Sequence, residues 1–223
     1  THNKAFYVNI VAFGVIIILG FGGMYWFSSQ KTEIPPPSGG ATPANSGNVK
    51  TALSPEIEAV LSQKMMTVEA LAKDPIILKE VALINEKNKN LTSAEITALD
   101  NKWRASKGID DFIKPFLTNK TAVQLFAFQE KNPGFPEIFV TDKYGLNVGQ
   151  TDKTSDYYQA DEDWWVNAYA NGIGKSYHGA IEFDDSAQSE AISIYVPIKD
   201  PSSSAVVGVI KAVLSIAAIK SAL

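Results

Sequence analysis

The stretch "EIFVTDKYGLNVGQT" (Glu137–Thr151) sets the fold class. Two runs with a period of two, 137–142 and 146–151, flank the short turn "KYG", where Gly145 is available for positive φ. That pattern predicts a β-hairpin. Three more runs of the same kind follow: "KSYHGAIEF" (175–183), "EAISIYVPI" (190–198) and "AVVGVIKAVLSI" (205–216), with the polar turn "KDPSSS" between the last two. Upstream, "TAVQLFAFQ" (121–129) also alternates and predicts a strand. Between the hairpin and the later strands, Asp161 to Asn171 predicts a short helix, with Gly172 as its left-handed end.

Upstream of residue 120 the period is helical. Ser54-Pro55-Glu56 combines a cap, a proline at the first position and an acid near the positive end of the dipole. Ile57, Val60, Leu61, Met65, Val68 and Leu71 then recur at helical spacing. Asp74-Pro75 breaks or kinks this helix, and "IILKEVALI" resumes it. Thr92 to Glu95 fits a capping box for a helix from Ser93 to about Ser106, with Ile96, Leu99 and Trp103 on its apolar face. A long helix followed by a mostly antiparallel sheet is an α+β domain.

Before that domain, Ala5 to Phe27 runs without a charge and reads as a transmembrane helix, long enough to cross a hydrocarbon core of roughly 30 Å. Tyr7, Tyr25 and Trp26 sit near its ends, where aromatic belts belong. A cleaved signal peptide is the alternative, but "MYWFSSQ" is a poor cleavage site. Residues 1–4 are expected to be a short cytoplasmic N-terminus. Residues 28–51 are a Pro/Gly/Ser-rich spacer. The weak flanking charge bias favours a single-pass anchor with the C-terminal domain outside the cytoplasm.

The chain has 223 residues and a net charge of −4. No basic patch suggests nucleic acid. The absence of cysteine excludes disulfides and thiol chemistry, and two histidines, His2 and His178, leave little room for a histidine metal site. No G-x-S-x-G, phosphate loop or cofactor motif occurs, so neither an enzyme nor a cofactor is expected. Glu182, Asp184 and Asp185 could hold Ca²⁺, but a solvated turn is the simpler reading.

Taken together, Asp142-Lys143-Tyr144-Gly145, Asp156-Tyr157, Trp164-Trp165, Tyr177 followed by Asp184, "YVPIKD" and "VVGVIKAVLSI" resemble a single Cache domain, the PAS-like (PDC-type) extracytoplasmic module of bacterial sensors. The resemblance covers residues 52–219 and leaves 220–223 as a tail. It implies a PAS-like antiparallel sheet behind a long N-terminal helix, and a ligand pocket containing Tyr157, Glu162, Trp164, Trp165, Tyr177 and Asp184. Where amino-acid-binding members carry an arginine, this chain carries Glu162. A carboxylate there repels a ligand carboxylate and suits a small amine or other cation held against aromatic faces. A helix with an acidic first turn and a buried aromatic face accounts for the same residues without a ligand.

The chain stops at "SIAAIKSAL", with no kinase, cyclase or methyl-accepting segment encoded. The expected role is therefore a non-catalytic accessory subunit of a larger membrane complex, respiratory or photosynthetic for example. It would contact lipid and protein subunits through residues 5–50 and one domain face. The alternative is a small-ligand sensor module that signals through a separate partner.

Overall fold

The computed structural model describes residues 53–184 and 189–223. The expected N-terminus, transmembrane helix and spacer lie outside the described residues. No helix among the described residues is long and apolar enough to cross a membrane.

Among the described residues, seven α-helices and five strands are formed. The first helix, α1, spans Pro55–Leu71, with the Ser54 hydroxyl accepting from the Ile57 amide. Asp74-Pro75 ends one helix and starts another: the Asp74 carboxylate accepts from the amides of Ile76 and Ile77 at 2.8 and 3.1 Å and caps α2, Pro75–Asn88. The capping box forms as expected, Thr92 and Glu95 bonding reciprocally at the start of α3, Ser93–Ala105.

"TAVQLFAFQ" is not a strand. A short helix, α4 (Lys114–Thr118), leads into α5 (Lys120–Lys131), which contains the whole stretch. Both periods are present there, and tertiary packing decides between them. A strand would have put Val123 and Leu125 on one face, whereas the structure buries Thr121, Ala122, Leu125 and Phe128 and leaves Val123 and Phe126 exposed. Asn119 adds a helix start, its side-chain oxygen accepting from the Ala122 amide at 2.9 Å.

The strands are β1 (Glu137–Asp142), β2 (Asn147–Gln150), β3 (Tyr177–Asp184), β4 (Ser189–Lys199) and β5 (Val206–Ser215). They form one antiparallel sheet in the order β2-β1-β5-β4-β3. This is the α+β architecture expected, with the long helix ahead of the sheet. Asp142 makes the first hairpin turn: its carboxylate accepts from the Tyr144 and Leu146 amides, both at 2.9 Å, while Gly145 takes φ +80°. The helix after this hairpin, α6, is shorter than expected, Asp163–Tyr169. It stops at Ala170, which takes φ 48° itself, and Asn171 and Gly172 are left-handed as well. A last helix, α7 (Ile216–Lys220), was not legible in the sequence.

Alternation splits the sheet's two faces. Ile138, Val140, Ile194, Val196, Ile210 and Ala212 meet α1, α2 and α5 in the main core. The opposite face carries Phe139, Thr141, Tyr195 and Lys211, and is covered by the segment between β2 and β3.

Gly208 sits where β5 crosses β1. A Cβ there would lie 2.2 Å from the Thr141 carbonyl oxygen and 3.3 Å from Val81 Cγ1. Backbone in the middle of a sheet cannot give way, so Gly208→Ala is expected to cost about 2–3 kcal/mol, read as a lowered midpoint in urea unfolding.

Candidate functional site

The register of the sheet lines up one residue from every strand. Gln150 pairs with Phe139, Phe139 with Lys211, Lys211 with Tyr195 and Tyr195 with Tyr177. Cross-strand partners share a face, so Gln150, Phe139, Lys211, Tyr195 and Tyr177 form a row across the face away from the core helices.

The segment after β2 is laid over this row by α3. Trp103 of α3 donates its indole N–H to the Thr154 carbonyl at 2.8 Å. Asp100 accepts from the amides of Tyr157 and Tyr158 at 2.8 and 3.1 Å, and Arg104 pairs with Asp100 at 2.8 Å. The chain then enters α6, whose first turn sets Trp164 on the row. The Trp164 ring stacks on Tyr195 at 5.2 Å, with planes 15° apart, and meets Phe139 edge-on at 5.8 Å. Lys211 Nζ lies 5.5 Å from the Trp164 ring centre and 5.7 Å from that of Phe139.

Beside these rings is a cavity of about 250 Å³, lined among others by Gln159, Glu162, Trp164, Ser193, Tyr195 and Lys211. Glu182 of β3 also reaches it. Neither Lys211 nor Glu162 has an ion-pair partner among the described residues. Glu162 stands exposed at the rim. Burial raises its carboxyl above the usual range; the negative charges of Asp156 and Asp161 add to this, and Lys211 and Arg104 oppose it.

The residues expected to form one pocket are divided. Glu162 and Trp164 line the cavity. Tyr177 stands behind Trp164, its hydroxyl donating to the Trp164 carbonyl at 2.9 Å and its ring 4.8 Å from Tyr195. Trp165 turns into the protein, donating its indole N–H to Thr141 Oγ1 at 2.9 Å and stacking on Tyr169 at 4.6 Å. Tyr157 belongs to a separate buried cluster with Trp103 and Phe116, each 5.5 Å from its ring. Burial pushes the Tyr157 hydroxyl well above the ordinary tyrosine range. Asp184 ends β3 opposite Ser189, and its side chain lies outside the described residues.

Sequence reasoning missed Lys211, Tyr195, Ser193 and Gln159, and named Glu182 only as a calcium candidate. One signal was available: Lys211 is the only charge in the ten residues of β5. A charge in a central strand needs a partner or a site.

A larger recess of about 650 Å³ lies where the α1–α2 corner meets the β4–β5 turn. Its two lysines, Lys73 and Lys199, are exposed, and Asp200 is held in the turn by Ser202 and Ser203. Glu69, Ser176 and Ser204 also line it, without the aromatic rings that flank Lys211. No grouping of three or more metal-ligating side chains occurs among the described residues.

No family model matches the chain, and no curated protein sequence matches it. Among solved structures it is similar to the sensor domain of the V. cholerae histidine kinase DctB, at 14% identity and TM-score 0.41, over 75% of this chain and 53% of that one. It is similar to the ligand-binding domain of the Pseudomonas fluorescens chemoreceptor CtaA, solved with L-serine, at 16% identity and TM-score 0.41, over 75% and 56%. The E. coli DcuS sensor domain is matched at 16% identity and TM-score 0.32, over 58% and 92%. The chain thus spans about half the length of the DctB and CtaA domains. These structural neighbours are sensor and ligand-binding domains.

Burial, with the nearby Tyr195 next in weight, pushes the Tyr177 hydroxyl up to about 12. Its folded-state value is raised, so its contribution to stability is whole below the ordinary tyrosine range near 10 and is lost as pH rises through about 12. In ultraviolet titration, Tyr177→Phe should remove one phenolate transition from the high end of the curve. It should also cost about 1 kcal/mol near neutral pH through the lost bond to the Trp164 carbonyl.

Proposed function

We propose that this chain is a small-ligand sensor module, extracytoplasmic and tethered through residues 5–27, whose ligand occupies the cavity beside Trp164. One observation carries the reading. The unpaired ammonium of Lys211 lines the same small cavity as the unpaired carboxylate of Glu162, against the faces of Trp164 and Phe139. Pockets for small molecules combine apolar and aromatic walls with a few convergent polar groups.

Lys211 changes the ligand chemistry expected from the sequence. Glu162 alone pointed to an amine. With Lys211 in place, the aromatic faces already hold a cation, and a bare amine would compete with it. The cavity suits a small molecule carrying a carboxylate for Lys211 and an ammonium or hydroxyl for Glu162. The cation that the resemblance puts at position 162 comes here from β5.

The accessory-subunit reading draws nothing from the cavity, and the sensor reading accounts for it. Titration calorimetry of the full chain against small amino acids, short dicarboxylates and alkylamines tests the proposal. A carboxylate-bearing probe should bind and the alkylamines should not. Lys211→Gln should weaken that binding about 10- to 100-fold, the loss of one charge-assisted hydrogen bond. Binding of an alkylamine that Lys211→Gln leaves unchanged, or no binding of any carboxylate, would overturn the reading.

A further inference from the structure

Edge strand β3 does not run evenly along β4. His178 pairs with Ile194, yet Ile181 pairs with Ile192, so three steps on β3 match two on β4. Gly179 and Ala180 therefore stand together against the single residue Ser193, which is a β-bulge.

The bulge decides which side chain enters the cavity. With a regular register continued from His178, Ile181 would oppose Ala191 and Glu182 would oppose Glu190. The extra residue shifts this by one, so Glu182 opposes Ala191, and both line the cavity. Ile181 is left on the outer part of the edge, 42% exposed, while Phe183, 60% exposed, also reaches the cavity rim. A one-residue slip exchanges the two faces of a strand. The bulge therefore puts a carboxylate into the cavity wall where an isoleucine would stand.

His178 holds the bulge at its first residue. Its Nδ1 lies 2.8 Å from the carbonyl oxygen of Gly179, and its Nε2 lies 3.0 Å from Glu58 Oε2 on the first turn of α1. Each ring nitrogen thus faces an oxygen, one on the bulge and one on α1. The imidazole is half-buried, and its partner across the ladder, Ile194, brings no charge. The neighbouring residue, Tyr177, points to the opposite face and bonds the Trp164 carbonyl. One dipeptide thus touches the cavity wall on one side and α1 on the other.

We infer that His178 is a positioning residue: clamped by Glu58 of α1, it fixes the β3 bulge and so places Glu182 in the cavity. The inference rests on the ligand reading for its meaning, but its test needs no ligand. Hydrogen exchange of the unliganded full chain is compared for wild type, His178→Ala, Glu58→Ala and Glu58→Gln. His178→Ala and Glu58→Ala should each speed exchange over Gly179–Phe183 by about 2- to 30-fold, the range such couplings span, while β1 and α5 stay as in wild type. Glu58→Gln keeps an oxygen acceptor for the Nε2 proton and should restore most of the protection. The inference fails if Glu58→Ala disturbs only the first turn of α1, if β1 and α5 loosen equally, or if Glu58→Gln exchanges as fast as Glu58→Ala. A cavity that binds none of the calorimetric probes would overturn the ligand reading and leave this result standing.

Discussion

The ammonium of Lys211 lies over aromatic rings in the middle strand of a five-stranded sheet. A lysine in such a place must keep its charge solvated or matched, because an isolated ammonium is costly to bury. The row of Phe139, Lys211 and Tyr195 with Trp164 laid over it meets that demand in part. The rings shelter the stem and attract the charge, and the cavity gives the head group an open side. The helix-facing side of the same strands carries Ile210, Ala212 and Leu214, which close an ordinary apolar core. The main aliphatic core therefore lies on one face of the sheet, and the aromatic and polar groups on the other.

The covering segment has little regular structure of its own and is held by side chains that reach its backbone. Trp103, Asp100 and Asn147 do most of this: Trp103 holds the Thr154 carbonyl, Asp100 the amides of Tyr157 and Tyr158, and Asn147 the Thr154 hydroxyl and the Asp156 carbonyl. Asp142 is buried under the hairpin turn and bonded by Asn88 of α2 at 2.8 Å. Desolvation raises its carboxyl above the usual range despite these bonds. The helical layer thus fixes the turn from one side while α3 fixes the loop from the other. Trp164 reaches Lys211 only because both ends of its segment are tied.

Much of this was readable in the sequence wherever the signal is local. Ser54-Pro55, Asp74-Pro75 and the Thr92–Glu95 box mark helix starts by hydrogen bonds that close within three residues. The hairpin at Gly145 is local in the same sense. The 121–129 stretch was misleading because it carries both periods, and only the burial of Ala122, Leu125 and Phe128 against the sheet selects the helix. The cavity was less legible, since its walls come from the segment after β2, α6, β3, β4 and β5, and register is a property of pairs rather than of single strands. Trp164 and Trp165 show the limit well. Consecutive residues on a helix point roughly 100° apart, so a paired motif could not say which tryptophan would face the cavity.

The placement of β5 has one more consequence. It comes fifth in sequence among the strands yet lies third across the sheet, joined to β1 on one side and β4 on the other. Until its residues have left the ribosome, β1–β2 and β3–β4 are two separate hairpins, and isolated hairpins are marginal in water. The nascent chain therefore has no sheet to lock into until synthesis passes Ser215. Such a polypeptide stays pliable through most of its elongation.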